Sequence, residues 1–291
     1  MHVRRGDADA WRLETSSGSY FVKGYLQGGE PLARVMEFED QARAAGIATP
    51  EPVRPIDPHV GWLTRLGDRL FRVYRWISGP QPPEHEVSAW LGRTMLQVHR
   101  LQPLPQPGLP QWWRGAIRPP ATWESWYADA KDRDLPWASL LRDTTPEILA
   151  ATERLAALCE VAPDIVTTHG DFKPHNLVWS AAGPVLVDWD SVRTDSAALE
   201  AARVAYLFGA GQPERVSRIL TAYVEAGGNL EWPGPDLFAS VTRNHLQVLT
   251  DLIRASLGET TAARWMGDPA TINTAVGNHL RDLPESAVPT L

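Results

Sequence analysis

The stretch Ile165-Val-Thr-Thr-His169-Gly-Asp171-Phe-Lys173-Pro-His175-Asn176, completed by Val185-Leu-Val-Asp188-Trp-Asp190, decides how this chain is read. Residues 176–179 and 184–189 read as two short β-strands around a Ser180-Ala-Ala-Gly183 turn. Such a hairpin brings Asn176 and Asp188 to one mouth. A single His-x-Asp arises by chance, but histidine, aspartate, lysine, asparagine and aspartate in this order and spacing do not. A buried polar turn between two strands is the plainer alternative, and His175 stands outside the pattern.

Upstream, residues 10–24 read as a β-hairpin, with the β-prone stretches AWRLET and SYFVKGY flanking Ser16–Ser19. Pro31 suits a first helical turn, and the spacing predicts a helix from there until Gly46 ends it. The proline-rich segment 49–58 is extended, and a second hairpin turns at Gly67-Asp68. Prolines from residue 80 mark a lobe boundary. Beyond it residues 84–101 fit an amphipathic helix, with Val87, Trp90, Leu91, Met95 and Val98 on one face. Residues 103–120 read as a loop, and helices are expected at 122–130 and 146–161. From Ser196 to about 281 the pattern is almost wholly helical. The expected fold is α+β and bilobal, with a small β-rich lobe at 1–78 and a larger helical lobe at 79–291.

Composition narrows the classes. The 291 residues carry a net charge of −7 and one cysteine, Cys159, which excludes an internal disulfide or a cysteine-based zinc cluster. No apolar run approaches the ~20 residues of a membrane span, and the first ten residues lack a signal-peptide core. A net-acidic chain binds nucleic acid poorly without other devices. A cytoplasmic protein with neither membrane nor nucleic-acid partner is expected. Residues 1–79 hold 11 basic and 10 acidic side chains, so the negative excess lies downstream. The chain has 25 arginines but only three lysines, Lys23, Lys131 and Lys173, which singles out each lysine.

His169-x-Asp171 followed by Asn176 matches the catalytic-loop pattern of protein kinases, and Asp188 opens an Asp-x-Asp counterpart of their metal-binding motif. Phosphoryl transfer needs a carboxylate that orients the acceptor hydroxyl and takes its proton, which fits Asp171. It needs hard oxygen ligands for Mg²⁺, which fits Asn176 and Asp188. Lys173 is placed to neutralise charge on the transferred phosphoryl group. His169 reads as a loop-orienting histidine, and Asp190 as a supporting residue. Lys23 ends a strand in the context where kinases grip the donor phosphates, with Glu37 its expected partner and Glu39 the fallback.

These motifs resemble those of the aminoglycoside phosphotransferase/choline kinase-like family, which shares the protein-kinase fold. The resemblance rests on Tyr20-Phe-Val-Lys23, Glu37 to Pro50, Tyr74-Arg-Trp-Ile-Ser-Gly79, Leu91 to His99, and the two catalytic segments. It implies transfer of the γ-phosphate of ATP, with GTP also compatible, to a hydroxyl of a small acceptor, such as an antibiotic, choline, a sugar or an amino alcohol. A kinase-like nucleotide-binding module without transfer is the other reading. By the same resemblance Arg75 and Ile77 form the interlobe hinge and meet adenine through backbone groups. Only ten residues precede Trp11. That implies a loosely covered nucleotide, a start farther upstream, or a dispensable first strand. Glu200 stands in for the family's helix-opening aspartate, with Arg203 its expected ion-pair partner.

Only eleven residues separate Asp188 from Glu200, too few for the peptide-binding platform of protein kinases, so a small acceptor is expected. The acidic larger lobe suits a cationic one. Trp123, Trp126 and Asp129, in the stretch where five tryptophans fall between Trp112 and Trp137, are candidate substrate contacts. Aromatic faces hold ammonium groups or stack on sugars, although packing is the commoner use of such residues.

Overall fold

A computed structural model describes residues 2–5, 8–26, 29–79, 87–102, 108–160, 163–232 and 236–286. Packing divides the chain into two units, Met1–Pro103 with Thr167–Thr194, and Leu104–Val166 with Asp195–Leu291.

The first unit is built on an antiparallel sheet. Strand β1 (His2–Arg5) pairs with β2 (Ala8–Thr15), and β2 pairs with β3 (Gly18–Tyr25) across a two-residue Ser16-Ser17 turn. A first strand is therefore present among the ten residues that precede Trp11, which corrects the alternative that it is dispensed with, while Gly6 and Asp7 lie outside the described residues. Helix α1 (Gly29–Ala44) follows. It ends as the sequence predicts: Gly46 takes φ +84°, and Ile47 N–H reaches Ala42 O in a Schellman arrangement. Strands β4 (Pro52–Val53), β5 (Thr64–Leu66) and β6 (Arg69–Arg75) complete the sheet, in the order β1-β2-β3-β6-β4 with β5 also on β6. The β5–β6 turn falls at Gly67-Asp68 as expected, with Gly67 at φ +63°.

The prolines after residue 80 and the start of the 84–101 helix lie outside the described residues. Helix α2 spans Ser88–His99 and buries Leu91, Met95 and Val98. The chain returns through β7 (Ile165–Thr168), the hairpin β8 (Leu177–Ser180) and β9 (Gly183–Leu186), and leaves by β10 (Arg193–Ser196). Packing thus does not follow the boundary after residue 78. Leu186 N–H bonds Ala48 O at 3.0 Å and the buried Trp189 ring lies 6.1 Å from Phe38, which joins segment 167–194 to α1 and the loop that follows it.

The second unit is helical: α3 (Pro120–Asp132), α4 (Ala138–Leu158), α5 (Ala197–Gly209), α6 (Pro213–Glu225), α7 (Ala239–Ser256) and α8 (Pro269–Ser286). Helix α4 begins eight residues before the expected Pro146. A proline suits a helix start, but here Leu141 is anchored in the core and the turn ahead of Pro146 forms regardless. Residues 111–116, read as loop, form a 3₁₀ turn that buries Trp113. No helix of the described residues is long and apolar enough to cross a membrane.

Candidate active site

The segment from His169 to Asp190 is held by its backbone. Asn176 O accepts from Val187 N–H at 2.9 Å, which closes the β8–β9 hairpin and sets Asn176 near Asp188 along the paired strands. His169 is fully buried. Its Nε2 donates to Val187 O at 3.1 Å and its Nδ1 accepts from Asp171 N–H at 3.3 Å, so its bonds fit the neutral Nε2–H tautomer. Its ring packs edge-on against Trp189 at 4.7 Å. This is the geometry of a residue that orients the loop. Gly170 takes φ +77°, and a Cβ there would lie 1.9 Å from Ser191 O, so only glycine lets the two segments pass.

Asp171 is partly exposed. Its Oδ2 accepts from Asn176 Nδ2 at 2.9 Å and from Lys173 Nζ at 2.8 Å. Both donors converge on one oxygen, which leaves Oδ1 for a proton. Asn176 Nδ2 also donates to Asp171 O at 2.8 Å, so the amide presents Oδ1 as its ligating atom. Asp188 adopts a left-handed backbone, φ +65°, at the start of a 3₁₀ turn over Trp189–Ser191. Carboxylate and amide oxygens are the hard donors Mg²⁺ takes, so Asn176 and Asp188 fit that ion. His175 lies on the exposed side of the same loop.

Lys23 corrects the expectation for its partner. Its Nζ bonds both Asp188 and Asp190. Glu37 is exposed on α1, whereas Glu39 is wholly buried. Two residues turn a helix by about 200°, so the two glutamates cannot share a face. Glu39 meets Tyr74 OH at 2.8 Å and Arg72 at 3.6 Å. Arg72 in turn pairs with Asp190, which also accepts from Tyr25 OH at 3.0 Å. Burial pushes the Glu39 carboxyl above its ordinary value, with Arg72 and Tyr74 opposing. Burial also pushes Asp190 upward, but Arg72 and Lys23 outweigh it and hold that carboxyl below its ordinary value.

Sequence reasoning missed Arg72, Tyr25 and Tyr74. In β6 Leu70, Arg72 and Tyr74 turn inward, whereas Phe71 and Val73 mark the opposite face as the apolar one in the sequence, so the pattern alone gave no signal that Arg72 is buried against an acid.

At the expected hinge, Arg75 N–H is spent on Glu51 O at 2.9 Å, so its carbonyl is what it can offer a base. Its side chain is exposed and meets Glu51. Ile77 follows where the chain has left the ladder. A Cβ on Gly79 would lie 2.6 Å from Trp179 O, so the segment after β6 passes closely over β8.

The tryptophans expected to touch substrate pack instead. Trp123 is fully buried and Trp126 nearly so, their rings edge to face at 5.1 Å, and Trp126 Nε1 donates to Glu259. Their spacing of three puts both on the inner face of α3. Asp129 is exposed on the outer face. Glu200 is buried and pairs with Arg203 at 3.5 Å as expected. The opening of α5, however, is capped by Ser196 and by Asp164, which accepts from Ala198 N–H at 2.7 Å.

Residues 3–238 match the model of APH, the phosphotransferase enzyme family. No curated protein matches the sequence. Among solved structures, an amicoumacin kinase in complex with AMP-PNP, Ca²⁺ and amicoumacin superposes with a TM-score of 0.66 at 12% identity, covering 99% of this chain and 89% of the other. A spectinomycin phosphotransferase in complex with ADP and spectinomycin gives 0.61 at 14% identity, again over 99% and 89%. The choline kinase of Streptococcus pneumoniae gives 0.57 at 13%, over 97% and 92%. At these identities the likeness speaks for a shared kinase-like fold. The family match over most of the sequence goes further: the chain belongs to the phosphotransferase enzyme family.

Proposed function

We propose that the chain is a cytoplasmic, ATP-dependent O-phosphotransferase whose acceptor is a small hydroxylated molecule, with an aminoglycoside-like or other cationic antibiotic as the leading class. The observation that carries the reading is Asp171. Two donors converge on its Oδ2, so its Oδ1 is left to accept a hydroxyl proton. The acceptor oxygen forms a bond to the γ-phosphorus, the bond to the β–γ bridging oxygen breaks, and ADP leaves. The acceptor proton passes to Asp171.

Lys23 binds the donor phosphates, and Lys173 neutralises charge on the transferred group. Asn176 Oδ1 and the carboxylate of Asp188 would hold Mg²⁺, which would screen phosphate charge. The backbone of Arg75 and Ile77 receives the base, which leaves GTP as a competing donor. Choline, sugars and amino alcohols are the second acceptor class. Residues 80–291 carry 17 basic against 25 acidic side chains, which favours a cation in either class.

A coupled ADP-release screen over aminoglycosides, peptide antibiotics, nucleosides, choline and sugars tests the reading. Acceptor-dependent ADP release from one class is expected. Silence across all of them with ATP still bound would mean a nucleotide-binding module without transfer.

A further inference from the structure

Helix α1 and Lys23 are connected through an arginine rather than directly. Arg72 is 1% exposed, and a guanidinium so buried is tolerated only when paired. The antiparallel register of β3 and β6 sets Lys23 opposite Arg72, so both side chains leave the same face of the sheet. From there Arg72 Nη2 bonds Asp190, while Nη1 lies 3.6 Å from Glu39 Oε2. Two tyrosines fix the carboxylates: Tyr74 OH donates to Glu39 at 2.8 Å and Tyr25 OH to Asp190 at 3.0 Å. A planar fork can meet two carboxylates from separate segments at once, which a lysine's point charge cannot do as well.

We propose that Arg72 is a positioning residue for the phosphate-gripping lysine. It joins Glu39 of α1 to Asp190, and Asp190 holds Lys23, so a chain of contacts Glu39–Arg72–Asp190–Lys23 replaces a direct glutamate–lysine pair. Lys23 has two carboxylate partners, Asp188 and Asp190. When Asp188 is drawn to a cation, Asp190, anchored by Arg72, keeps Lys23 aimed at the donor phosphates. The inference rests on the reading of Lys23 as a donor-phosphate ligand.

A double-mutant cycle on Mg·ATP affinity, measured by calorimetry, tests it. Arg72→Met is expected to weaken binding about 10-fold, the usual effect of removing an outer-shell partner. In a Lys23→Ala background the same substitution is expected to change affinity by less than about 2-fold, because the group it positions is gone. A loss of similar size in both backgrounds would overturn the proposal, since Arg72 would then act on the fold and not through Lys23. So would unchanged affinity in Arg72→Met alone. If Lys23→Ala itself leaves affinity unchanged, the phosphate-ligand reading of Lys23 fails first and takes this proposal with it. Should Arg72→Met not fold, Glu39→Gln loosens the far side of the fork. Its smaller loss of affinity is likewise expected to vanish without Lys23, and persistence there would overturn the proposal.

Discussion

Gly170 shows how little freedom single positions have in this loop. Its positive φ and the 1.9 Å approach of Ser191 O to a would-be Cβ mean that Gly170→Ala must move backbone. We expect a loss of about 2 kcal/mol or more in denaturant unfolding. An alanine variant of unaltered stability would contradict the geometry. Asp190 makes a pH prediction at the same scale. Burial disfavours its ionised form, but Arg72 and Lys23 prevail, so its folded value lies below its unfolded one. Its contribution to stability is therefore present above the unfolded value and lost as pH falls through the folded one. Asp190→Asn should make the acid limb of the stability-versus-pH curve shallower. An unchanged limb would mean the carboxylate is not held as described.

At the scale of elements, helix α1 separates two glutamates that the sequence reading ranks the other way, Glu37 ahead of Glu39. Glu37→Gln should change unfolding free energy by no more than about 0.5 kcal/mol and leave the KM for ATP unaltered, as for an exposed helical position. Glu39→Gln should cost about 1–3 kcal/mol, since it disturbs a buried acceptor of Tyr74 OH and a charge facing Arg72. Thermal or denaturant unfolding of the pair distinguishes the two faces, and equal effects would contradict the assignment. The helix itself was legible because Pro31 and Gly46 mark its ends, and both hairpins were legible from their turn residues. Its rotational phase was not. Beyond its first turn the helix carries acids at 37, 39 and 40, and which one turns inward depends on the buried Arg72 of β6. Helix α4 was misjudged for a similar reason, because packing of Leu141 carries the helix past a proline that locally signals a start. In α3 the tryptophans are chemically able to bind a cation. Only their burial shows that Trp123 and Trp126 serve the core.

For the whole molecule, the split of charge and the scarcity of lysine carried different weight. Two of the three lysines stand in the site, Lys23 on Asp188 and Asp190 and Lys173 on Asp171. The order His169, Asp171, Lys173, Asn176, Asp188 was legible because each spacing is local to one loop and one hairpin. Arg72 and Tyr25 were not, because their partners lie more than a hundred residues away along the chain. The central claim is that Asp171 takes the acceptor proton in a transfer from ATP. The most direct test compares acceptor-dependent ADP release by Asp171→Ala with that of the unaltered enzyme, alongside Mg·ATP binding. The predicted result is a fall in kcat of about 10²–10⁴-fold with nucleotide affinity nearly intact. Normal turnover by Asp171→Ala would contradict it.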